Sequence, residues 1–158
     1  MTYTIRYARF AAIYAGLSIA LPIGRFILEA VTGETFDSAA LGFIPMFIAA
    51  MTEGQSFARA QGRRPDKGEA WRIALRLTGL GIMISLILLT VYAALVGLDW
   101  SGIPAPGPDD WSLFSTILGV AVVLAALILL VSARMFLSLG ARSEVKAIQK
   151  RSGQDRHR

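Results

Sequence analysis

The chain has 158 residues, 54% of them hydrophobic and 17% charged, with a mean hydropathy of +0.55; a soluble domain of that length needs more polar surface, so a membrane is the first expectation. Without cysteine there are no disulfides, thiolate metal sites or thiol catalysis. The net charge of +5 comes from basic residues that flank apolar stretches, which points to membrane topology and anionic lipid headgroups and excludes nucleic acid as the partner.

In chain order, the first predicted span is Phe10–Val31, "FAAIYAGLSIALPIGRFILEAV", with Arg6 and Arg9 ahead of it. It meets the roughly 20 apolar residues that a crossing requires. Its basic start resembles a signal peptide, but the long apolar run, Arg25 and the poor cleavage site "EAVTG" argue that it stays on the protein. Arg25 and Glu29 stand four apart on one face, near the outer surface. They read first as a local pair reaching the headgroups, with an ion or proton site as the alternative. Ala8, Ala12, Gly16, Ala20 and Gly24 place a small residue at every fourth position. That stripe is expected to pack closely on the chain's own spans, a homodimer seam being the second reading.

The loop "TGETFDS" has Glu34 and Asp37 and no Lys or Arg. A second span is expected at residues 38–58, although only Ser38–Met51 is continuously apolar or small and that piece alone would suit a re-entrant segment. Leu21-Pro22 and Ile44-Pro45 are each expected to loosen a helix, and the carbonyls so freed must find partners inside the bundle. Glu53 in span two and Arg76 in span three fall at similar depth and are expected to staple the central hairpin.

Residues 59–70 form a basic loop with Arg59, Arg63, Arg64 and Lys67, and Arg72 follows just beyond it. Asp66 with Glu69 three residues later is a capping-box spacing, so a helix should start there and enter the membrane near Trp71 as span three, residues 71–97. The next connection carries Asp99, Asp109 and Asp110 with no Lys or Arg, and span four is expected at residues 111–133. The tail, residues 134–158, holds seven Lys and Arg, among them Arg142, Lys146, Lys150 and Arg151. With Phe136, Leu139, Val145 and Ile148 at helical spacing, it should continue as an amphipathic helix lying on the membrane surface.

Basic and non-basic flanks therefore alternate without exception. By the positive-inside rule the chain is expected to be an all-α, four-span helical bundle of two hairpins, one membrane domain over residues 1–158, with both termini and the central loop in the cytoplasm. Tyr3, Tyr7 and Trp71 at the inner interface and Trp100 and Trp111 at the outer one agree with an aromatic belt.

No pattern for a catalytic, cofactor or metal site is present: HExxH, GxSxG, a Walker loop and GxGxxG after a strand are all missing, and His157, the single histidine, stands in the tail. The Gly-Gln-x-Phe at Gly54–Phe57, the Gly-Arg-x-Pro at Gly62–Pro65, and Glu69 with Trp71 resemble the ABZJ-type family of small bacterial inner-membrane proteins. The resemblance covers about a quarter of the chain; it fits the four-span layout and implies no activity. Small multidrug exporters also hold a glutamate in span one, but deeper and without this basic loop. Fluoride channels share a glycine-then-arginine pattern with "IGRF" but need an asparagine in span two, which is absent. The expected role is a non-enzymatic accessory or assembly subunit that docks on other membrane subunits or anionic lipid. The rival is a small, dimeric transporter or channel that uses the intramembrane Arg and Glu residues.

Overall fold

The computed structural model describes residues 6–35, 39–97, 107 and 110–155. Tyr3, Asp37, Asp99, Trp100, Asp109 and His157 lie outside that set. The described chain is helical: α1 Tyr7–Thr32, a short 3-10 turn Ala39–Gly42, α2 Ile44–Gln61, α3 Lys67–Val96 and α4 Trp111–Asp155.

Local chemistry sets the helix ends. Gly62 closes α2 in the left-handed conformation, φ 65°, and its N–H donates to the Ala58 carbonyl at 2.8 Å. Four residues later the Asp66–Glu69 capping box opens α3, the Asp66 amide donating to the Glu69 carboxylate at 2.9 Å. Pro45 does not loosen a helix as expected; it occupies the first turn of α2, where its missing N–H costs nothing. Pro22 does lie inside α1.

Three helices, α1, α3 and α4, are long and apolar enough to cross a membrane, which marks the chain as a membrane protein. The fourth, α2, has 18 residues, about 27 Å of helix, and its second half carries Thr52, Glu53, Gln55, Ser56 and Arg59.

The largest helix interface joins α2 to α4, across the two expected hairpins. These two helices run parallel: Phe47 stacks on Phe136 at 4.3 Å, Met51 abuts Gly140, Gly54 abuts Leu137, and Arg59 bonds Glu144. Helix α1 runs the other way, Arg9 meeting Glu53 while Tyr14 lies with Met46 against Gly81 of α3. The N-terminal turns of α1, the first turns of α3 and the C-terminal half of α4 thus gather around α2 at one end of the molecule. Phe10, Met46, Ala49, Ala50, Phe57, Ala74, Leu77, Ala133 and Leu137 form the core there, each at most 2% exposed.

Beyond the start of α2 the other helices part. Phe26, Val31, Leu86, Leu95 and Leu113 are all more than half exposed, and no described side chain of the first two turns of α4 is buried. The sequence reading of the tail needs correction here. Residues 134–155 do not turn onto the membrane surface; they continue α4 and bury Leu137, Gly140 and Ala141 against α2. The buried strip is made of small residues beside one leucine, not of the larger Leu139 and Ile148, which are exposed.

Candidate functional site

The most enclosed ionisable group among the described residues is Glu53, 1% exposed, in the middle of α2. Helical spacing puts Ala49, Ala50, Glu53, Gly54 and Phe57 on the inward face, so the carboxylate cannot avoid the core. A carboxylate taken out of water needs a cation and hydrogen bonds. Arg9 supplies them from α1: its Nη2 donates to Glu53 Oε1 at 2.8 Å, to the Thr52 carbonyl at 3.3 Å and to Ser56 Oγ. Ser56 in turn donates to the Thr52 carbonyl at 3.0 Å. Arg9 is 35% exposed, so the pair is sealed from the α2 side and wet from the α1 side.

Arg76, the expected partner of Glu53, is exposed and makes no ion pair among the described residues. The staple therefore joins α1 to α2, not α2 to α3. The reason is rotational: Ile73, Ala74 and Leu77 face the core, and Arg76 lies on the opposite side of α3. In the sequence Arg9 looks like a topology charge alone; its position directly before Phe10, the first apolar residue of the span, is the one signal that it could turn inward.

Arg25 and Glu29 do bond each other, Nε to Oε1 at 2.7 Å. A groove of about 840 Å³ lies between α1 and α3, lined chiefly by Ile19, Pro22, Phe26, Leu88 and Tyr92, with Ser18 and Ser85 at its polar end; neither Arg25 nor Glu29 lines it. Ser85 is held by the Tyr14 hydroxyl at 2.7 Å. The groove exists because α2 starts at the depth of Tyr14 and Gly81 and leaves the space above unfilled.

The small-residue stripe of α1 does not contact the chain's own spans, contrary to expectation. Ala8, Ala12, Gly16 and Ala20 are exposed, Gly24 is half-buried, and nothing lies within 4 Å of a Cβ built on Gly16 or Gly24. Phe10 and Tyr14 take the inward face instead. The close backbone approach is made by Gly54 and Gly140, neither of which the small-residue spacing had singled out.

The basic residues divide in two groups. Arg59 forks onto Glu144 at 2.8 and 3.1 Å, and Arg63 forks onto Glu69 with two bonds of 2.8 Å while its guanidinium covers Phe57 at 5.5 Å. Arg64, Lys67, Arg72, Arg142, Lys146, Lys150 and Arg151 are exposed, with no ion pair among the described residues. Glu69 stands in the first turn of α3, ahead of the span predicted from residue 71. There the Arg63 fork, with the Asp66 amide, holds its carboxyl down at about 2.

No group of three or more acidic or histidine side chains able to hold a metal occurs among the described residues. No protein-family model matches the chain, and neither the curated proteins nor the solved structures contain a match.

Proposed function

We propose that the protein is a multi-pass protein of the bacterial inner membrane, with both termini and the 59–70 loop in the cytoplasm and α2 seated among the cytoplasmic ends of α1, α3 and α4, and that it serves as a non-enzymatic accessory or assembly subunit of a larger membrane complex. The outward small-residue face of α1 carries this reading. Helices in lipid associate by close packing, and a face with Ala8, Ala12, Gly16 and Ala20 exposed invites a partner backbone that this chain does not provide. The alternation of basic and acidic flanks supports the topology, as does the shared end of the molecule at which Arg9 and the C-terminal half of α4 meet α2. The ABZJ-type resemblance of residues 53–75 fits the same description.

A transporter would need a polar route that opens. Glu53 already has Arg9, and the groove above it is walled by apolar side chains, which favours structural use of the charge. Purification in mild detergent followed by mass spectrometry tests the proposal. Stoichiometric recovery of a larger membrane complex that is lost with Gly16→Leu and Ala20→Leu supports it. A lone dimer that retains its state in those variants overturns it.

A further inference from the structure

Among the described residues Arg9, Arg25 and Arg134 are the arginines that are partly buried. Arg9 holds Glu53 and Arg25 holds Glu29. Arg134 holds no carboxylate and no other described hydrogen-bond acceptor. Its guanidinium lies over the Trp71 indole, 4.7 Å from the ring centre. Nε is buried against the protein without a partner, while the terminal nitrogens are not buried and meet no protein acceptor.

We propose that this pair is a binding site for the phosphate of an anionic phospholipid. The position favours that ligand. Arg134 directly follows the uncharged run Ser112–Ala133, so it marks the depth at which hydrocarbon gives way to headgroups. Trp71, 41% exposed, is an aromatic of the kind that settles at that boundary. The indole holds the guanidinium plane by cation–π attraction, which leaves its outer edge as a two-pronged donor. A phosphate takes that edge with two parallel bonds, as a point-charge ammonium cannot. The chain's exposed Arg and Lys draw acidic lipid to the cytoplasmic face in general; Arg134 with Trp71 gives one headgroup a fixed seat. This inference rests on the membrane placement proposed above.

Trp71 is its own reporter. In protein carrying Trp100→Phe and Trp111→Phe, reconstituted in phosphatidylcholine vesicles, Trp71 fluorescence is quenched by brominated phosphatidylglycerol or by brominated phosphatidylcholine at equal mole fraction. The expected preference for the anionic lipid is about five-fold. It should vanish in Arg134→Gln, fall in Arg134→Lys, and persist in Arg142→Gln, which removes an exposed charge from the same helix. Circular dichroism of each variant verifies the fold. Equal quenching by both lipids, or an unchanged preference in Arg134→Gln, overturns the site and leaves a partner's carboxylate as the occupant. Loss of the preference on adding inorganic phosphate also overturns it, in favour of the free anion. No quenching by either lipid places Trp71 outside a bilayer and defeats the membrane placement instead.

Discussion

Gly54 of α2 and Gly140 of α4 are reciprocal sockets. A Cβ on Gly54 would fall on the Leu137 carbonyl, 2.9 Å from its carbon and 3.1 Å from the Ala141 amide nitrogen; a Cβ on Gly140 would fall on the Met51 carbonyl, 2.9 Å from its carbon. Backbone meets backbone at both positions, so no side chain can swing aside. Gly54→Ala and Gly140→Ala should each cost about 1–3 kcal/mol in detergent thermal stability, because the helices must separate. Gly16→Ala, at an open helical position, should be neutral or stabilising by up to about 1 kcal/mol. Equal behaviour of the three variants would show that α2 and α4 do not touch there.

Removing one member of the Arg9–Glu53 pair strands the other. Glu53→Gln should lower stability by about 2 kcal/mol, less than the roughly 3–5 kcal/mol of a fully buried pair, because Arg9 is 35% exposed. Adding Arg9→Met should recover part of the loss. Arg76→Met should instead add independently to Glu53→Gln, within about 0.5 kcal/mol. Coupling of Glu53 to Arg76 and not to Arg9 in this cycle would restore the staple between α2 and α3.

Acid should loosen the loop between α2 and α3 before the core. The Glu69 carboxyl is lowered from 4.5 to about 2, so the folded state prefers it ionised. Its contribution is full above 4.5 and is lost as pH falls towards 2. The side chain is 37% exposed, so solvent screening keeps the effect below about 1 kcal/mol. The stability gap between the parent and Glu69→Gln should be open at pH 6 and narrow through that acidic range. A gap independent of pH would refute the Arg63–Glu69 fork.

Reporter fusions at Thr35 and Ala105 should read periplasm, and those at Gln61 and Ser152 cytoplasm. Substituting Arg64 and Lys67 by Gln tests the topology charges most cleanly, because both are exposed and neither makes an ion pair among the described residues, unlike Arg59 and Arg63. A mixed orientation is expected. A cytoplasmic signal at Ala105 would remove the proposed topology altogether.

Apolar length made three of the helices legible, and the Asp66–Glu69 spacing made the start of α3 legible to the residue. The partners were not legible. Counting small residues every fourth position picked Gly16, but Phe10 and Tyr14 offer more area to bury and turn α1 the other way. Ala50, Gly54 and Ala58 have the same spacing in α2 and are the ones buried, hidden in the sequence by the polar residues between them. Depth alone paired Glu53 with Arg76; rotation about α3, which depth does not encode, separates them. The end of α4 misled for a related reason: of the apolar residues read there, Leu139 and Ile148 are exposed, while the buried face is Leu137, Gly140 and Ala141.

The parallel seating of α2 on α4 has a consequence for biosynthesis. Gly54 and Leu137 are 83 positions apart, the difference of their numbers, so α2 leaves the ribosome well before the surface that covers it exists. At about 5–20 residues per second that interval is roughly 4–17 s. During it a helix of marginal apolarity, bearing Glu53, has only α1 and then α3 to lean on. A nascent chain stopped ahead of Leu137 should keep α2 accessible to protease or to the insertion machinery, and the later-made turns of α4 around Leu137 and Gly140 are the ones that lock the middle of the protein in place.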